Sequence, residues 1–595
     1  MDKKRRLDND HPHVTHSRSA GGVAAGPPKG SEGTIDAPRD CKEARSMTTE
    51  QPEDSAKKPF DMRRRDFLKA SMAMALVGGP TLSAFLAACG NSTSGGRGGT
   101  LVYAMEISDL PSLDAQTSLS QGSTLAQAIQ PMFEGLTMYD RHRSDVVPPA
   151  VGVLAESWTL LDGGKTWEWK LRKGVTFHDG TPWNADAAIW NFQRLYDPKS
   201  PQYFLLAYQL MSIYMPGPIV NMTKVDDSTF RMTTNIPRPL NEELEALWMV
   251  SPTAVKKLGN DGFGLAPVGT GGMKFSKLVA GQQFEMVPYD KYWGAAYKLD
   301  RLIVRPIGDA SARVNALVSG EVDIAVELPA DGLAPLKSAG KTVLTSVRPH
   351  TWEFIYNTKE KPFNDKRVRQ ALNYAIDRDS LANNILKGTA IPMTQLAIPN
   401  SEWFDDGLAP YTYDPAKAKQ MLADAGYPNG FSTEWWTATN GSGELQPVPM
   451  AEFIQSNLKA VGVNVKLKTF EWTAYLGEFF KAAQPGIGAM QISYGWSWTY
   501  WWGLLFSTEY LPPKGPLNAG YYTNPAIDPL YDQALGEADA GKRSALVKQI
   551  QRIVWDDAPY LFCVHGLNVR GLNPKVQGFI NSKEWQFQFQ TIYKT

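Results

Sequence analysis

The chain has 595 residues, with 43% hydrophobic and 21% charged residues, so a folded protein of more than one domain is expected. Lys+Arg and Asp+Glu both total 61, and this balance gives no reason to expect nucleic acid or an acidic membrane surface as partner. Three cysteines (Cys41, Cys89 and Cys563) contain no CxxC pair and build no disulfide framework, so stability must come from core burial.

Residues 1–61 are polar, rich in Pro, Gly and charge, and hold His11, His13 and His16. No rigid element holds these His for metal. The segment is expected to be a disordered extension or a gene-start artefact, with translation beginning at Met62.

A basic start (Arg63, Arg64, Arg65) precedes Phe67 and Leu68, and an apolar run from Ala70 ends in Leu86-Ala87-Ala88-Cys89. Residues 62–88 resemble a twin-arginine export signal, with Arg64 and Arg65 as its pair, joined to a bacterial lipoprotein cleavage box. The Gly79-Pro80 break and the small residues before Cys89 favour a removed signal over a permanent anchor helix. Cys89 would then carry lipid, and the Gly/Ser-rich residues 89–100 would form a flexible tether. Cys563 is left as a buried apolar thiol.

From about residue 100 strands and helices alternate. LVYAMEI (101–107) reads as a strand, and TWEWKLRKGVTF (166–177) puts Trp167, Trp169 and Leu171 on one face. Asn184 is an N-cap for a helix with Ile189, Trp190, Phe192 and Tyr196 as its broad apolar face. Residues 364–388 read as two helices, with Asp377 capping the second and Gly388 closing it. Asp414 caps a further helix with Pro415 in its first turn and Gly426 as its stop. In residues 453–470 a helix gives way at Gly462 to a strand alternating Val463, Val465 and Leu467. The pattern is α/β.

The segments FHDGTPW (177–183), VGTGGMKF (268–275), ARVNALVSGEVDIA (312–325), PFNDKRVRQALNYAIDRD (362–379), YDPAKAKQMLADAGY and YYTNPAIDPLYDQA (521–534) resemble, in order, solute-binding protein family 5. That family holds the oligopeptide-, dipeptide-, nickel- and oligosaccharide-binding components of ABC importers. The resemblance implies a periplasmic-binding-protein-like fold: two lobes, a hinge, and an extra subdomain inserted in the first lobe. Carried onto this chain, lobe I comprises 97–145, 268–350 and 565–595, the inserted subdomain 146–267, and lobe II 351–564. It also implies an extracytoplasmic monomer, held at the cell membrane through Cys89 and partnered by permease subunits.

No motif asks for catalysis. HExxH and GxSxG are absent, both GKT triplets lack the phosphate-loop glycine, and the SAGK match is broken by Gly340. His142, His178, His350 and His565 stand singly, so neither a metal site nor a cofactor is expected.

The stretch GWSWTYWWG (495–503) remains. Read as a strand, it turns Trp496, Trp498, Tyr500 and Trp502 to one face, too many aromatics for an ordinary core wall. Part of them is expected to line a cleft. Peptide-binding members carry a motif like GWxxDY, whose Asp pairs with the peptide's α-ammonium. Here Gly495, Trp496 and Tyr500 match, but Thr499 stands at the Asp position. A buried ammonium needs a carboxylate, so a neutral, saccharide-like ligand is expected. Its rings would stack on Trp352, Trp436, Trp498 and Trp502, with hydrogen bonds from Asn440, Thr499 and Asp114. The alternatives are a peptide ligand in the same fold, and a secreted carbohydrate-active enzyme with two opposed carboxylates.

Overall fold

Apolar residues, alternating in edge strands such as Val463–Phe470 and nearly continuous in the central ones, lay down strands that join into one mixed sheet of eleven. In spatial order they are Val463–Phe470, Phe431–Ala438, Ile487–Gly495, Thr342–Tyr356, Tyr560–Leu572, Ile324–Val326, Thr100–Met105, Arg301–Pro306, Gln283–Pro288 and Met273–Val279. Ala390–Pro392 pairs with the long Tyr560–Leu572 strand. This computed structural model describes residues 98–595 apart from 108–109, 111, 119–122, 206–207, 209–218, 442 and 496–498. Cys89, Arg64, Arg65, Trp496 and Trp498 lie outside the described residues.

Two strands run through both halves of the sheet. Thr342–Val347 pairs antiparallel with Leu567–Leu572 in the first half, and Thr351–Ile355 with Tyr560–His565 in the second. The register shifts between Val347 and Thr351. Pro349 lies in that break, where a residue without an N–H costs no ladder bond. The register break supplies the place where two strand pairs can bend without losing either ladder.

A separate four-stranded antiparallel sheet is formed by Ala155–Leu161, Thr166–Leu171, Thr229–Thr234 and Ile219–Asp226. Trp167 and Trp169 stack at 5.3 Å within its own core, which also takes Phe192 and Phe230. The Ala185–Tyr196 helix covers it, capped as expected by Asn184 Oδ1, which accepts from the Ala187 amide at 3.0 Å.

Other expected ends hold as well. Asp414 accepts from the Lys417 amide at 2.8 Å at the start of Pro415–Asp424, and Gly426 follows at φ +94°. Asp377 accepts from the Ser380 amide at 2.9 Å, Gly388 closes that segment at φ +80°, and Cys563 is buried. The segment between is a short α-turn, Arg378–Ser380, continued by a π-helical turn, Leu381–Ile385, rather than one regular helix.

The aromatic stretch differs from its expected form. The strand ends at Gly495, and Thr499–Phe506 is a helix. Tyr500 and Trp502 therefore do not share a strand face. Beyond Thr499 that helix carries only aromatic, Leu and Gly residues, and a helix hydrophobic nearly all round belongs inside a core. Gly503 makes the fit possible, because a Cβ there would lie 1.9 Å from the Tyr531 ring.

Candidate functional site

The helix that begins at Thr499 meets the short Leu240–Glu243 helix beside the small sheet. Glu242 Oε2 accepts from the Thr499 hydroxyl at 3.1 Å and from its amide at 3.3 Å. Glu242 Oε1 accepts from Arg543 Nη2 at 2.6 Å. The neighbouring Arg238 pairs with Glu243 at 2.9 Å and sits 4.6 Å from the centre of the Tyr500 ring. Two acids and two guanidinium groups thus bridge this junction. A cavity of about 290 Å³ opens on Glu242 and Arg543, walled by Tyr139, Pro148 and Trp403. Glu242, Arg543 and Arg238 were absent from the sequence reading. The acidic run LNEELE (240–245) was the available signal.

A second polar cluster surrounds the register break. Arg348 pairs with Glu327 at 2.7 Å and lies 4.1 Å over the Trp585 ring. His350 packs edge-on against Trp585 at 4.9 Å. Gly443, at φ +77°, comes so near that a Cβ would lie 2.6 Å from His350 Nε2. Burial and the adjacent Arg348 hold His350 well below the usual imidazole range, so it is neutral. Beside it Glu444 accepts from Ser493 Oγ at 2.8 Å and from Gln491. Burial pushes the Glu444 carboxyl up to about 7 despite those bonds. Glu353 is driven well above the carboxylate range by burial, so it is held as the neutral acid.

The expected ligand contacts scatter on this frame. Trp352 is fully buried, edge-on to Phe354 at 5.5 Å. Trp502 is likewise buried, perpendicular to Trp403 at 6.1 Å. Trp436 donates to Glu434 at 2.9 Å and packs on Phe470 and Lys468. Asn440 is exposed on the turn after its strand. Asp114 lies elsewhere: fully buried, it takes two bonds from Arg194, at 2.6 and 3.2 Å, and its carboxylate is spent on packing. Of the expected residues, Thr499 and Tyr500 are brought together at the junction. Among the described residues no group of three or more His, Cys, Asp or Glu is placed to hold a metal ion.

Residues 150–514 match the family model described as bacterial extracellular solute-binding proteins, family 5 middle. This chain is a family 5 solute-binding protein. The family 5 protein is 31% identical over 542 residues to the glutathione-binding protein GsiB of Pectobacterium atrosepticum, covering 89% of this chain and 98% of the relative. It is 30% identical to heme-binding protein A of Haemophilus influenzae, over 87% and 97% of the two chains. Among solved structures, the periplasmic binding protein DppA of Helicobacter pylori, in complex with the peptide STSA, superposes with a TM-score of 0.69 at 26% identity, covering 84% and 98%. HbpA2 of Haemophilus parasuis superposes at 0.72 with 24% identity, over 83% and 100%, and shows the fold. These neighbours give the protein the two-lobed periplasmic-binding fold expected from its sequence.

Proposed function

We propose that this family 5 protein captures a small peptide-like solute, rather than a saccharide, and delivers it to an ABC importer. One observation carries the reading: the carboxylate missing at Thr499 is supplied from across the junction by Glu242. The neutral-ligand expectation rested on that missing charge. A carboxylate has about four lone-pair positions, and three here are filled by Arg543 and the two donors of Thr499. One remains for an ammonium, while Arg543 stands beside it for an anionic group. The saccharide reading also needed exposed stacking faces, and Trp352 and Trp502 are fully buried.

The relatives support the same choice. One is named for glutathione, and one solved neighbour holds a peptide. Relatives named for binding also favour a carrier over a carbohydrate-active enzyme. In this reading the lobes keep the limits expected from the sequence, 97–145, 268–350 and 565–595 against 351–564 with 146–267 inserted, and closure bends the register break at 348–350. Lipid on Cys89 would tether a monomer to the outer face of the cell membrane, and the permease subunits of the importer would receive its ligand.

Titration calorimetry tests the ligand class. Glutathione, a di- to tetrapeptide set, and cello- and xylo-oligosaccharides are each titrated into the purified chain. Saturable heat from peptides is expected, with loss on N-acetylation and on Glu242→Gln. Heat from the oligosaccharides and none from the peptides would overturn the proposal.

A further inference from the structure

The glycine-rich turn VGTGGMKF lies outside the junction. A Cβ on Gly269 would lie 2.1 Å from the Met132 carbonyl, and one on Gly271 2.3 Å from that of Pro131. The turn therefore lets the Gln130–Phe133 backbone lie directly against it. Beyond that contact opens a cavity of about 250 Å³, lined by Gln130, Phe133, Glu134, Tyr292, Trp293 and Tyr297 among others. It is smaller than the ~300–1,000 Å³ usual for drug-sized ligands, so any occupant is small.

Its chemistry is specific. Tyr292 and Trp293 rings lie 5.6 Å apart at 53°, and Tyr292 and Tyr297 6.3 Å apart at 69°, so their faces form an aromatic corner. Gly272 and Gly294 hold the corner in place, since a Cβ at either would run into Tyr297 or Tyr292. Glu134 accepts from the Tyr292 hydroxyl at 2.8 Å and from Trp293 Nε1 at 3.0 Å, both uncharged donors. No Lys or Arg lines the cavity, whereas Glu134 and Asp140 do, with His142 beside Asp140 at the rim. Gln130 is 4% exposed, and neither its amide nitrogen nor its amide oxygen has a hydrogen-bond partner. A buried amide without partners costs stability unless something else satisfies it.

We propose that this cavity is a second ligand site, built for a small organic ammonium ion. The aromatic faces would receive the cation, Glu134 would balance its charge, and Gln130 would bond its polar substituent. Burial pushes the Glu134 carboxyl up to about 7, although its Trp293 and Tyr292 bonds and Arg172, which lies 4.2 Å over the Trp293 ring, act to lower it. This site stands independently of the ligand at the Glu242 junction.

Choline and its uncharged isostere 3,3-dimethylbutan-1-ol test it, titrated into the full chain and into Glu134→Gln and Gln130→Leu, with circular dichroism confirming the fold of each variant. Choline is expected to saturate one site per chain, with the isostere at least roughly tenfold weaker. Glu134→Gln is expected to cost about tenfold for choline, and Gln130→Leu to weaken it as well. Equal binding of the isostere, choline affinity unchanged by both substitutions, or no saturable choline binding would each overturn the site.

Discussion

Glu242 and Glu134 are buried to a similar degree, 7% and 5% exposed, yet their surroundings treat them in opposite ways. At the junction, Glu242 faces a guanidinium at 2.6 Å. In the cavity beside the glycine-rich turn, Glu134 faces a phenol and an indole, with Arg172 lying over the indole ring. Both acids lose water, so the difference lies in what replaces it. An ion pair offsets the loss within the protein and ties two elements together. Neutral donors offset it in part and leave the acid responsive to pH and to an incoming cation. One carboxylate therefore serves as a charged joint between two elements, and the other as an acid held by neutral donors.

Breaking the joint should give the largest effect. Arg543→Met leaves Glu242 buried without its cation and should cost about 3–5 kcal/mol in urea unfolding. Adding Glu242→Gln to the same chain should recover most of that loss, because the orphaned charge is gone. A double variant as unstable as the single one would mean that Arg543 acts through packing.

The cavity acid should respond next, and in the opposite direction. Its folded pKa of about 7 lies above the ordinary 4.5. The folded state then binds the proton more tightly than the unfolded chain. That stabilisation is complete below about 4.5 and is lost as pH rises to about 7, with no further change above. Glu134→Gln removes the slope. The variant should match the parent near pH 4 and exceed it by on the order of 3 kcal/mol at pH 8. The Tyr292 hydroxyl can turn to accept from the new amide, so the hydrogen bonds survive the change. Parallel pH profiles of the two proteins would refute the account.

The sequence carried the fold further than it carried the site. Caps such as Asn184 and Asp414 act within three residues of themselves, and alternation such as Val463 and Val465 is local, so both can be read along the chain. The stretch from Gly495 to Gly503 could not, because Ser497 and Thr499 alternate with Trp496, Trp498 and Tyr500 as in a strand over too few residues to exclude a helix starting at Thr499. The contacts of the site residues were hidden for a different reason. Asp114 finds Arg194 80 residues away, Thr499 finds Glu242 257 residues away, and Arg543 reaches it over 301. A carboxylate that reaches Thr499 from a helix far away in sequence leaves no mark beside Thr499. Thr499 read correctly as an absent acid, while the carboxylate that reaches it, Glu242, stands 257 residues away. The glycines of VGTGGMKF were legible as a family mark, while the close approach they permit to Pro131 and Met132 became visible once the elements were folded together.

The smallest effect discriminates between the two ways of holding a buried acid. Tyr292→Phe takes one donor from Glu134 and leaves the Trp293 bond at 3.0 Å in place. A lost hydrogen bond of this kind costs about 1 kcal/mol or somewhat more when the acceptor is charged. That loss should be felt at pH 8, where the carboxylate needs the donor, and should shrink near pH 4, where the neutral acid needs it less. Because the Tyr292 bond lowers the pKa of Glu134, removing it should also move the midpoint of the stability-against-pH curve upward. If Arg172, whose guanidinium lies 4.2 Å over the Trp293 ring, balanced Glu134 and the Tyr292 bond contributed little, the midpoint would stay where it is. A fixed midpoint would place Glu134 with Glu242 among the compensated acids and remove the contrast between the two regions.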